Sequence, residues 1–133
     1  MTKKLDPCVD MFEITGAGDI YAAVISQLQA HVGREFAVED PKKTCVHIVA
    51  GKDGTAYAGL HPRKRAVLLN IRLASPLKSK RVRKTEQVSA NRFHCEILLE
   101  KVSDVDRTLI DWLEQALSLC LAGKRGAPAV GKT

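Results

Sequence analysis

The last eight residues, Gly126-Ala127-Pro128-Ala129-Val130-Gly131-Lys132-Thr133, reproduce the pattern GxxxxGK[ST], whose chemistry is the cradling of nucleotide phosphates. In a working loop of that kind a strand delivers the glycines and a helix follows, so that backbone N–H groups and the positive end of the helix dipole face the phosphates. Here a helical stretch precedes the pattern and no helix follows Thr133, so no nucleotide site is expected. His31, His47, His61 and His94 are the side chains best suited to proton transfer, yet none has a carboxylate or nucleophile at a useful local spacing. Cys95 adjoins His94, but strand neighbours point to opposite faces, which prevents a Cys–His pair through that strand. Groups distant in sequence can still converge in a fold, because a triad is defined by geometry rather than by position.

Cys8, Cys45, Cys95 and Cys120 contain no CxxC spacing, so no metal site is predicted. No cofactor is predicted either, and no residue is assigned a catalytic role. The segment Thr15-Gly16-Ala17-Gly18-Asp19 resembles the TGAGD signature of ribokinase-like sugar kinases. In that family the glycines form an anion hole at a helix start and the aspartate is the catalytic base. The resemblance covers five residues, and that fold needs far more chain upstream than fourteen residues. A glycine turn leading into an aspartate N-cap explains the same letters. The chain is therefore read as a non-enzyme.

The cationic residues carry more information. Segment 61–92 holds ten Lys and Arg against the single acid Glu86, a net charge of +9, which leaves −3 on the rest of a chain whose total is +6. The candidate polyanion-binding residues are Arg63, Lys64, Arg65, Arg72, Lys78, Lys80, Arg81, Arg83 and Lys84. If residues 81–84 are extended, Arg81 and Arg83 share one side and Lys80 and Lys84 the other. Such a projection can follow a phosphate backbone, releasing counterions as it binds, and arginine adds bidentate phosphate contacts. Segment 61–92 contains no aromatic residue, which argues against stacking on single-stranded bases and leaves backbone binding. The expected partner is nucleic acid or an acidic protein, and anionic lipid headgroups present similar charge. The alternative reading is a protein-interaction or small-ligand module that uses an exposed sheet face or a helix–sheet groove.

These residues need elements to position them. The length of 133 residues fits one domain, and 45% hydrophobic content suffices for one core. Ile20, Val24, Ile25, Leu28 and Val32 recur at helical spacing, predicting a helix over 19–32 with Asp19 as N-cap and Gly33 as terminator. Asp40-Pro41 reads as a turn. Strands are predicted at Thr44–Ala50, Thr55–Leu60, Val67–Leu73 and Phe93–Glu100, with turns at Gly51–Gly54 and His61–Arg65. Periodicity lapses over 75–91. Ser103–Asp106 opens a last helix carrying Leu109, Leu113, Ala116 and Leu117, which Gly123 should close. The fold class is α+β, an antiparallel sheet of about four to five strands flanked by an N-terminal and a C-terminal helix. Residues 1–18 are expected as an N-terminal arm, 19–122 as the domain and 123–133 as a disordered tail. No apolar run approaches the ~20 residues of a membrane span, and the lysines at the start lead into no apolar stretch. Disulfides are disfavoured in reducing compartments, and the cytoplasm is the expected address.

From Phe36 to Leu121 the chain resembles the bacterial domain-of-unknown-function family 5655, labelled in places as a predicted transport protein. The likeness is carried by Lys43–Ile48, by Tyr57–Arg65, by Val67, Leu69, Ile71 and Leu73, and by the Phe93–Glu100 strand before Leu109-Ile110 and Ala116. The resemblance implies a layout similar to small double-wing α+β proteins, some of which bind DNA. It implies no catalytic residue.

Overall fold

The computed structural model describes residues 7–51 and 55–124. Residues 1–6 of the expected arm, residues 52–54 of the Gly51–Gly54 turn and residues 125–133 of the expected disordered tail, with its phosphate-loop pattern, lie outside them. In chain order the elements are α1 (Pro7–Glu13), α2 (Gly18–Val32), β1 (Val38–Pro41), β2 (Val46–Val49), β3 (Ala56–Arg63), β4 (Ala66–Leu73), β5 (Val82–Ser89), β6 (Arg92–Leu99) and α3 (Arg107–Lys124). The strands form one open antiparallel sheet in the order β1-β2-β3-β4-β6-β5. The class is α+β as expected, with six strands instead of four to five.

Alternation decides which side of the sheet is covered. Val67, Leu69, Ile71 and Leu73 of β4 are buried, as are Cys95, Ile97 and Leu99 of β6. The register pairs them, Leu69 opposite Ile97 and Ile71 opposite Cys95, so they form continuous rows on one face. Val24 and Leu28 of α2 and Leu109 and Leu113 of α3 complete that core, all with no measurable exposure. Each such side chain contributes about 1.5–3 kcal/mol through burial. On the opposite face His47, His61, Leu68, Asn70, Arg72, His94, Glu96 and Leu98 are half-buried. Most of that face carries no helix among the described residues, and at the Arg72–His94 end the last turns of α3 border it.

Several boundaries differ from expectation for identifiable reasons. Asp40-Pro41 ends a strand, β1, instead of forming a turn; β1 is an edge strand, where proline costs no interior ladder bond. β3 continues through His61-Pro62-Arg63, reducing the turn to Lys64 and Arg65. β2 has ended opposite Leu60, so Pro62 deprives β2 of nothing. Residues 82–89 form β5 within the stretch where periodicity lapses. As an edge strand with seven of eight residues exposed, β5 has no buried face to impose a period.

Helix α2 starts one residue early, with Ala17 at the cap and Asp19 in the first turn, where its carboxylate still favours the positive helix end. Gly33 terminates α2 with φ 100°, its N–H donating to Gln29 O. Gly123 does not close α3, which runs through Lys124. Helix α1 lies within the stretch read as an arm, and its Cys8 and Phe12 are core residues. The Phe12 ring stacks on Tyr21 of α2 with centroids 4.3 Å apart.

Candidate nucleic-acid interface

The β3–β4 turn and the start of β5 stand at the same end of the sheet, because Ala66 leads into Val67 opposite Leu99 while Val82 faces Ile97. There Arg63, Lys64, Arg83 and Lys84 line one groove of about 450 Å³ on the uncovered face, floored by Ala66, Leu68 and Leu98. Two cationic stretches about twenty residues apart in sequence thus meet. Glu96 and Glu100 line the same groove and lower its net charge. Arg65 sits beside it with a positive φ of 53°, its N–H donating to Thr15 O at 2.7 Å, and lines a shallower hollow with Thr15 and Gly16. Lys78 and Lys80 are exposed on the chain entering β5.

Side-chain directions in β5 depart from simple alternation. The register slips between Val82 and Lys84, so Arg83 is an extra residue, a bulge that re-aims its side chain. Arg83 therefore lines the groove with Lys84 and not on a side shared with Arg81.

Arg81 turns away and is engaged elsewhere. Its Nη1 donates to both carboxylate oxygens of Asp106 at 3.1 and 3.2 Å, and its Nη2 donates to Asp104 O at 2.6 Å. The guanidinium lies 5.5 Å from the Trp112 ring centroid, within cation–π range. Burial alone would raise the Asp106 carboxyl, but the Leu109 N–H and Arg81 together hold it below its ordinary value. Arg81 is thus a structural residue, although the sequence grouped it with the polyanion contacts. Arg81→Ala will lower stability by about 2 kcal/mol, the scale of a charge-assisted hydrogen bond, while leaving nucleic-acid affinity unchanged. Urea melts and binding titrations of one variant check both halves.

Arg72, the ninth candidate, is at the opposite end of the sheet. Its Nη1 donates to Ala56 O at 2.8 Å, and it lines a second cleft with Arg92 and His94. Arg92 and His94 had no local signal: they lie some twenty residues beyond Arg72 and meet it only through the β4–β6 register.

Three histidines share the uncovered face. His47 and His61 flank Gly59, where a Cβ would stand 3.6 Å from each ring. Burial pushes His47, His61 and His94 below the ordinary histidine value, helped by Arg72 beside His47 and His94 and by Arg63 beside His61. Asp40, Glu96 and Glu86 respectively oppose the shift without reversing it. Each imidazole binds protons more readily when unfolded, so stability rises with pH below the unfolded value of about 6.5 and is lost on acidification through that window. The melting temperature will therefore fall from neutral pH towards pH ~5, and replacing all three histidines with glutamine will flatten that slope. An unchanged slope in the triple variant would assign the acid sensitivity to other groups.

His31 of α2 and Asp111 and Glu114 of α3 bring their ligating atoms within 4.8 Å. His31 Nε2 lies 2.9 Å from Glu114 Oε1, and Asp111 accepts from Arg107 Nε at 2.9 Å. The group is accounted for by the His31–Glu114 hydrogen bond between α2 and α3 and the i,i+4 Arg107–Asp111 ion pair within α3.

Fold and groove together define an antiparallel α+β domain with helices on one side and an uncovered, cation-rimmed sheet face. No family model, no curated protein and no solved structure matches the chain.

Proposed function

We propose that the protein is a non-enzymatic binding domain that engages the phosphate backbone of duplex nucleic acid through Arg63, Lys64, Arg83 and Lys84. The observation that carries this reading is the convergence of those four side chains around one groove on the uncovered sheet face. Arg65, next to Lys64 in the β3–β4 turn, adds to this charge, and Lys78 and Lys80 are exposed on the chain leading into β5. Glu96 and Glu100 in the groove favour contacts along its rim over a deep anion pocket. Among the described residues no aromatic side chain lines the groove, which favours contacts to phosphates over stacked bases. The same reading assigns the cytoplasm, in keeping with four cysteines that form no disulfide.

Electrophoretic mobility shift with a short DNA duplex at low salt tests the proposal. Retarded duplex, weakened by Lys64→Glu and Arg83→Glu, supports it; free duplex at every protein concentration ends it. Capture of an acidic protein partner that ignores both charge reversals would favour the protein-interaction reading instead.

A further inference from the structure

The cleft at the other end of the sheet has a different character. It encloses about 420 Å³ where the start of β3, the start of β6 and the last turns of α3 meet, within the range of small-molecule sites. Ala116 and Leu119 of α3 and Val88 of β5 give it an apolar side. Val88 is one of only three large hydrophobic side chains exposed among the described residues, at 48%. The charged and titratable part of the polar side is formed chiefly by Arg72, Arg92 and His94, and no carboxylate lines the cleft among the described residues. Arg72 is anchored through one Nη1 bond to Ala56 O, and Arg92 through one Nη1 bond to Asn91 O. A guanidinium has five N–H donors, so each retains donors for a ligand.

We infer that this cleft binds a small amphiphilic carboxylate, its apolar body against Leu119 and Val88 and its head between Arg72 and Arg92. The planar guanidinium fork matches a carboxylate in bidentate fashion, and two forks select an anionic head over a neutral one, with the nearby acid Glu86 set opposite His94 and outside the lining. The apolar body would cover Val88, the large hydrophobic side chain that the edge strand β5 leaves exposed beside the cleft. The site lies at the far end of the sheet from the polyanion groove and shares no lining residue with it. It does not depend on the nucleic-acid reading.

Amide chemical-shift titration of the full chain with phenylbutyrate, and separately with uncharged phenylbutanol, tests the inference. The expected result is movement of the Val88, Arg92 and Leu119 amides, with the carboxylate binding roughly tenfold more tightly than the alcohol. Arg92→Gln should bring the carboxylate to the alcohol's affinity, and Leu119→Trp should exclude both probes by filling the cleft. The amide spectrum of each variant reports whether it is folded, and Arg92→Gln alone suffices if Leu119→Trp is not. Equal affinity for the two probes, full affinity in Arg92→Gln, shifts confined to the Arg63–Arg83 groove, or no shifts at all would each overturn it.

Discussion

Phe12→Ala will lower the free energy of unfolding by about 3–5 kcal/mol, a large share of the stability of a small domain. Phe12 has no solvent exposure, and its ring lies nearly parallel to that of Tyr21 at 15°. Truncation would strip both the stacking partner and the volume that α1 contributes beneath β1 and β3. Helix α1 is only seven residues long, so it cannot hold its shape by helix propensity and depends on this burial. Urea unfolding should show a lower midpoint with little change in slope. A loss under about 1 kcal/mol would make α1 an accessory to the domain, in keeping with the N-terminal arm expected from the sequence.

Affinity for duplex DNA will fall about 100-fold between about 50 mM and about 200 mM salt if four side chains each neutralise one phosphate. Lys64→Gln together with Arg83→Gln should reduce the slope of log affinity against log salt by about 2 and weaken low-salt binding on the order of 100-fold. Arg81→Gln should change neither quantity, because its guanidinium is committed to Asp106 and Asp104. Fluorescence anisotropy of a labelled duplex supplies all three measurements. A slope unaffected by the double substitution would remove the groove from the binding surface.

Elements with one buried face were legible in the sequence. Val67 to Leu73 and Phe93 to Leu99 alternate because one side meets the helices, and the stripes of α2 and α3 repeat for the same reason. The illegible elements lack that one-sidedness or the length to display it. Strand β5 is exposed on both faces, β1 spans four residues ending in proline, and α1 makes two turns. Local pattern located the charged turn and the charged segment but not how their side chains divide. Arg83 reached the groove through a bulge, and Arg81 left it for a carboxylate twenty-five residues away. Both outcomes depend on register and long-range pairing, which composition does not encode.

The Asp106 carboxylate has a kinetic consequence. Its Oδ1 accepts the Leu109 N–H that begins α3 and also receives Arg81, which fixes the entry to β5. The first turn of a helix and the lead-in to an edge strand, normally the earliest parts of a domain to fray, here share one latch. Backbone amides at both places will exchange with solvent deuterium at matched rates, as a single opening event. Asp106→Asn will speed the two together, whereas independent fraying would leave one of them slow.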